Sequence, residues 1–134
     1  MESDSQRNVR AAKTFEELWI WQQSRLLVKE VYTDFGNNTR AGRDYGFRSQ
    51  IQKAAVSIMN NIAEGFERIT TKEFARFLDI AKGSCGEVRS MYYTAEDLEY
   101  VSQLVAEERR GKCRKIASGI SSLATYLRNI NQSR

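Results

Sequence analysis

The chain has 134 residues, 41% of them hydrophobic and 28% charged, with a net charge of +4 and a pI near 9.2. That is enough for one domain with a real core, and it excludes a mainly disordered chain. Histidine and proline are both absent. Without histidine, a Ser-His-Asp or Cys-His nucleophile, the Glu-x-x-His ligand pairs of di-iron bundles and a Cys/His zinc site cannot be built. Without proline, long helices are favoured over turns and edge strands. No run of about 18 apolar residues occurs, so no spanning helix is expected. The polar opening Met1–Gln6 has no apolar signal region, which makes the cytoplasm the expected compartment. The mild positive excess permits a polyanionic partner without demanding one.

Residues 1–13 are polar and of mixed charge, and they read as a flexible tail whose Arg7, Arg10 and Lys13 can sample a polyanion. A single domain is expected over 14–131. Thr14 and Glu17 make a capping-box pattern that opens a first helix over about 15–35. Along it Leu18, Trp21, Arg25, Val28, Tyr32 and Phe35 step by threes and fours, and only Arg25 breaks the seam. Trp19, Ile20, Leu27 and Val31 widen the apolar face, as suits a helix with two neighbours. Gly36-Asn37-Asn38 supplies the stop. After a polar loop over 36–43, Asp44 is placed to cap a second helix over 44–65.

Thr70 with Glu73 repeats the capping box and opens a third helix over 71–101. Its stripe is Phe74, Phe77, Leu78, Ala81, Cys85, Val88, Tyr92, Ala95 and Leu98. Gly83 and Gly86 fall inside it, where each glycine costs about 1 kcal/mol relative to alanine. Close backbone approach to Ala54 and Ala55 is the expected compensation, and a kink is the alternative. Ser102 caps a fourth helix over 103–130, with Leu104, Cys113, Ile116, Ile120, Leu123, Leu127 and Ile130 on its core face and Gly111 on its solvent side. Residues 132–134 form a short tail. Cys85 and Cys113 both lie on apolar stripes and are expected to be buried and reduced. The fold class predicted is all-α, an up-down-up-down antiparallel four-helix bundle.

The stretch around which these elements are organised is Phe47–Phe66. Phe47, Ile51, Ala54, Ala55, Ile58 and Ile62 draw one apolar stripe, and Gly65 is the residue type that tolerates the left-handed conformation ending many helices. Within it, Ala54-Ala-Val-Ser-Ile-Met-Asn-Asn-Ile-Ala-Glu-Gly65 resembles the signature of the four-helix-bundle proteins encoded in intervening sequences of bacterial 23S ribosomal RNA genes. The likeness extends to Phe15, Leu18 and Trp21, to Val31-Tyr32, to Tyr45-Gly46-Phe47 with Gln50, to Glu73-Phe74 with Phe77-Leu78, to Gly83-Ser84 with Glu87, and to Tyr100-Val101-Ser102. It covers residues 15–128, with Met59 where the family commonly has a proline. The resemblance implies a bundle that often assembles into a homopentameric ring. It also implies a relation to accessory proteins of diversity-generating retroelements, which bind nucleic acid and a reverse transcriptase. It brings no catalytic residues.

The densest basic run is Arg109, Arg110, Lys112, Arg114 and Lys115. Such a run can neutralise several phosphates without reading sequence, or it can be a solvated helix face. Lys112 and Arg114 flank the Cys113 core position, and Lys115 faces away. Arg68, Lys72 and Arg76 form a second basic set, with i,i+4 salt bridging as the alternative reading. Ser57, Asn61, Glu64, Ser84 and Glu87 are expected to form a polar network that fixes the register of the second and third helices. An acid–base role for that carboxylate pair lacks any companion nucleophile. Trp19, Trp21, Tyr92, Tyr93 and Tyr126 are expected in the core or at an interface, with stacking on bases as the alternative. The function expected is a non-enzymatic oligomeric scaffold that binds nucleic acid, structured RNA above all, with no cofactor, metal or membrane. A protein-interaction scaffold is the alternative.

Overall fold

The computed structural model describes residues 12–132; the expected tail through residue 11, with Arg7 and Arg10, lies outside the described residues, as do 133 and 134. Four helices make the fold: α1 Trp19–Asp34, α2 Tyr45–Phe66, α3 Thr71–Asp97 and α4 Gln103–Gln132. Short 3-10 turns at Phe15–Glu17 and Ala41–Arg43 precede α1 and α2, and there is no strand among the described residues. Each helix packs on its chain neighbours, and α1 closes the bundle against α4. Contact pairs that join α2 to α3 (Gln50 with Glu87, Ser57 with Ser84), α3 to α4 (Asp79 with Arg128, Tyr92 with Arg110) and α1 to α4 (Ile20 near Gly119, Asp34 with Arg109) all run in opposite directions. The fold is an all-α four-helix bundle.

The first helix starts later than its capping-box pattern predicts. The Thr14 side chain makes no cap bond, and the Glu17 carboxylate instead accepts from the Lys13 backbone N–H at 2.6 Å. Extended backbone at Leu18 (φ −75°, ψ 127°) separates the 3-10 turn from α1 and drives the fully buried Leu18 side chain into the core. Leu18 and Phe35 are thus the non-helical ends of α1, and a seam drawn through them is misphased. The buried face is Ile20, Ser24, Leu27 and Val31; Trp21 and Val28 are half-buried, while Arg25 and Tyr32 are exposed. Ser24 satisfies its buried hydroxyl by donating to the Ile20 carbonyl at 2.6 Å.

The other three caps form as expected. Asp44 Oδ1 accepts from the Phe47 N–H at 3.3 Å, Thr70 Oγ1 from the Glu73 N–H at 3.1 Å, and Ser102 Oγ from the Val105 N–H at 3.1 Å. The expected core stripe of α2 is buried throughout. Helix α3 ends at Asp97, short of the expected 101, because Glu99 adopts a left-handed conformation (φ 58°). Tyr100 N–H then reaches the Ala95 carbonyl at 2.8 Å and Glu99 N–H the Glu96 carbonyl at 3.0 Å, the bond pair of a Schellman motif. Leu98 is left 45% exposed beyond that cap and Leu104 is 78% exposed at the start of α4, so neither belongs to the core stripe.

Glycines overturn two expectations. Gly65 does not end α2 in a left-handed turn; it lies within the helix where α2 crosses α3, and a Cβ there would sit 2.8 Å from Phe77 Cβ and 2.9 Å from Phe74 Cδ1. Gly83 and Gly86 are not close-packed: α3 is helical past both, and a Cβ at either would meet nothing within 4 Å. The close approach that the sequence reading assigned to them belongs to Gly65 and to Gly119, whose Cβ would lie 2.9 Å from Ile20 Cγ2.

Cys85 and Cys113 are buried and free, as expected. At the end of the bundle that holds the α1–α2 loop, Phe35, Phe47, Tyr92 and Tyr100 form a chain of ring contacts at 5.1–5.3 Å. Tyr100 Oη donates to Asp44 Oδ2 at 2.7 Å, tying the turn after α3 to the cap of α2. The geometry sorts the glycines by substitution. Gly83→Ala and Gly86→Ala are each expected to raise stability by about 1 kcal/mol, whereas Gly65→Ala is expected to lower it by about 1–3 kcal/mol through overpacking. Urea unfolding followed by circular dichroism reads both signs.

Candidate nucleic-acid interface

The basic run on α4 divides by helical geometry. Arg109 and Lys112, three apart, point toward α1, where Glu30 and Asp34 lie four apart on the facing edge. Arg109 grips Asp34 with two bonds, Nε to Oδ2 at 2.9 Å and Nη2 to Oδ1 at 3.1 Å, and places Nη1 2.8 Å from Glu30 and 2.9 Å from Glu108. Lys112 Nζ donates to Glu30 at 2.5 Å. Tyr92, fully buried on α3, completes the set by donating its hydroxyl to Asp34 Oδ2 at 2.7 Å. These bonds hold the phenol of Tyr92 far above its usual range, through burial and the Asp34 carboxylate. The Arg109 guanidinium is likewise held charged: its acidic partners outweigh the burial that opposes its charge.

Arg110 turns the other way, into the α3–α4 seam. It is 6% exposed, lies 2.9 Å from Glu96, donates to the Tyr92 carbonyl at 3.4 Å and stands 4.0 Å over the Tyr93 ring. The expectation that this run is one phosphate-binding face is therefore corrected for Arg109, Arg110 and Lys112. Their charges are neutralised inside the bundle, because Glu30, Asp34 and Glu96 on neighbouring helices meet them there. Of this run, Arg114 and Lys115 stay exposed without an acidic partner among the described residues. Replacing the whole run would remove the ion cluster between α1 and α4 along with any surface charge.

In the second basic set Arg68 bonds Glu64 at 2.8 Å, the i,i+4 pairing that was its alternative reading. Arg68 and Arg76 stand 4.8 and 4.9 Å from the centre of the Phe77 ring, and Lys72 is exposed. Within the polar network, Ser57 and Ser84 hydroxyls meet at 2.9 Å across α2 and α3, and Asn61 Nδ2 donates to the Ser57 carbonyl at 2.8 Å and to Ser57 Oγ at 2.9 Å. Glu64 and Glu87 stand outside it, Glu64 with Arg68 and Glu87 accepting from Gln50 Nε2 at 3.0 Å. Of the aromatics, Tyr92 is core, Trp21 packs on Phe15 at 5.2 Å, and Trp19 and Tyr93 are 40% and 53% exposed.

Glu30 and Asp34 are the residues that sequence reasoning missed. Their signal was an i,i+4 acidic pair beside the α1 core face, which matches Arg109 and Lys112 only once the two helices are aligned. Two grooves border this seam and its neighbour. One of about 470 Å³ runs between α1 and α4 past Trp19, Gly111 and Lys115; another of about 490 Å³ lies between α1 and α2 past Tyr32, Lys53 and Asn60. Among the described residues no group of three His, Cys, Asp or Glu is placed to hold a metal ion. No helix among them is long and apolar enough to cross a membrane.

This bundle and its signature stretch on α2 are those of a family: residues 16–122 match the model of the 23S rRNA-intervening sequence protein, and the chain belongs to that family. A comparison with curated proteins gave no match.

Burial pushes the thiols of Cys85 and Cys113 up to about 12, Cys85 further through Cys113, while Arg89 and Arg114 partly offset the rise at Cys113. Both groups keep their protons in the folded state at pH values where the unfolded chain has lost them. Their contribution is fully present below the unfolded thiol range near 9 and is lost as pH rises toward 12. Above pH 9 each thiol is expected to remove up to about 1.4 kcal/mol of stability per pH unit, and Cys85→Ala with Cys113→Ala should flatten that alkaline limb in urea unfolding. At neutral pH, Arg109→Gln is expected to cost about 3–5 kcal/mol, since it leaves Asp34 buried without its partner. A loss under 1 kcal/mol in the same assay would show that the cluster holds nothing together.

Proposed function

We propose that the protein is a non-enzymatic helical scaffold that binds nucleic acid, structured RNA in particular, through cations that its own fold leaves unpaired, and that it assembles with copies of itself. The observation that carries this reading is a separation of charge. Lys82, Arg89, Arg114 and Lys115 are exposed along the middle of α3 and α4 with no acidic partner among the described residues. Along the middle of α3 the exposed carboxylates Asp79 and Glu87 are taken by Arg128 and Gln50, while Asp97, Glu99 and Glu107 gather around the turn between those helices. A rigid bundle holds such cations at fixed spacing, and phosphate contacts need no more than that. The family's link to ribosomal RNA genes supports RNA as the first polyanion to try. A reverse transcriptase partner belongs to the same reading, as a protein that would bring nucleic acid to the scaffold.

The protein-interaction scaffold rests on a different observation, the exposure of Leu26, Ile80 and Leu104 at 48%, 43% and 78%. Salt separates the two. Light scattering of the protein with a stem-loop RNA is expected to show a complex at about 50 mM salt whose affinity falls roughly 40-fold by about 200 mM, for three neutralised phosphates. A scattering mass that ignores RNA at every salt concentration would overturn nucleic-acid binding and leave the apolar surface as the working one.

A further inference from the structure

Between α3 and α4 lies a cleft of about 110 Å³ lined by Lys82, Cys85, Gly86, Arg89, Cys113 and Ala117. Gly86 and Ala117 keep its mouth open, for a Cβ at Gly86 would meet nothing within 4 Å, and the two buried thiols lie beneath. Arg114, exposed beside Cys113 on α4, brings a third cation next to the cleft, and its charge and that of Arg89 both favour the Cys113 thiolate.

These three cations are uncompensated for a reason visible in the chain. Of all their i±3 and i±4 neighbours only Asp79 is acidic. Asp79 is occupied by Arg128, and Glu87, the next acid along α3, faces Gln50 on α2. The contrast with the rest of α4 is sharp, since Arg109, Arg110 and Lys112 are each met by a carboxylate of another helix. Helix α3 also carries Gly83 and Gly86 at a helix-propensity cost that nothing within the chain offsets. A ligand that must approach the α3 backbone closely would make use of that missing side chain.

We propose that this cleft is a seat for a nucleic-acid phosphodiester, held by Lys82 and Arg89 from α3 and Arg114 from α4. The site rests on the nucleic-acid reading above and assigns it a place. The guanidinium groups supply paired donors for phosphate oxygens, Lys82 supplies a point charge at the rim, and the glycine opening lets the sugar-phosphate chain lie against the helix.

The test is fluorescence anisotropy of a labelled stem-loop RNA titrated with the full chain at several salt concentrations. The variant K82Q/R89Q/R114Q is expected to lose about tenfold or more in affinity at low salt, and the slope of log affinity against log salt should shrink by about 0.9 for each contact removed. A control, K29Q/R43Q/K53Q, removes three exposed cations elsewhere and is expected to stay within about twofold of the wild type. Gly86→Glu guards against misfolding as an explanation: it fills the cleft with a carboxylate, should bind RNA about tenfold more weakly, and should unfold at higher urea than the wild type, glutamate being the better helix former. Wild-type binding that the triple variant and Gly86→Glu both retain would overturn this site while leaving nucleic-acid binding in place. No binding by the wild type would remove both.

Discussion

One carboxylate, Asp34, carries the closure of the bundle. It sits at the last turn of α1, takes two bonds from Arg109 of α4 and one from Tyr92 of α3, and so ties three helices at a single point. It anchors one end of the α1–α4 seam, where Glu30, Asp34, Arg109 and Lys112 form an ion cluster, while Ile20 packs near Gly119 at the other end. Buried charges are costly to desolvate, and they persist here because Glu30, Asp34 and Arg109 are each met by more than one partner. Such a cluster specifies register more sharply than apolar packing does: sliding α1 by one turn would leave several charges unpaired.

The same end of the molecule gathers the aromatic chain from Tyr92 through Phe35 and Phe47 to Tyr100, and the Schellman turn at Glu99. The opposite stretch is held differently, by glycines that let helices touch. Gly65 admits Phe74 and Phe77 of α3, and Gly119 admits Ile20 of α1. Polar clamping at one end and close backbone approach at the other leave the middle of α3 and α4 as the region whose charge and open glycines have no internal use.

That division explains how the basic run on α4 came to be a poor guide to the surface. A cation count along a helix does not say which direction each side chain leaves it, and successive residues of a helix point about 100° apart. Arg109 and Arg110 therefore face different seams, and each seam holds an acid. Lys82 and Arg89 lie outside any dense run, and only the packing shows that Asp79, the one acid at helical spacing from them, is taken by Arg128. Likewise a mid-helix glycine suggests close internal packing, but in the tertiary structure that role falls to Gly65 and Gly119 and not to Gly83 or Gly86.

By itself the sequence determined the number and approximate span of the helices, three of the four caps, and the core faces of α2, α3 and most of α4. These depend on local chemistry: a side-chain oxygen three residues from a free N–H, or an apolar period near 3.6. The stretch from Ala54 to Gly65 also carried the family, which the match over residues 16–122 bears out. Only the tertiary structure decided the phase of α1, set by burying Leu18 at an extended residue, and the fate of each charge. Both turn on what lies across the interface, which no single helix encodes. A cation beside a carboxylate of a neighbouring helix is structural, the same cation beside water is free for a ligand, and the packing of the four helices chooses between them.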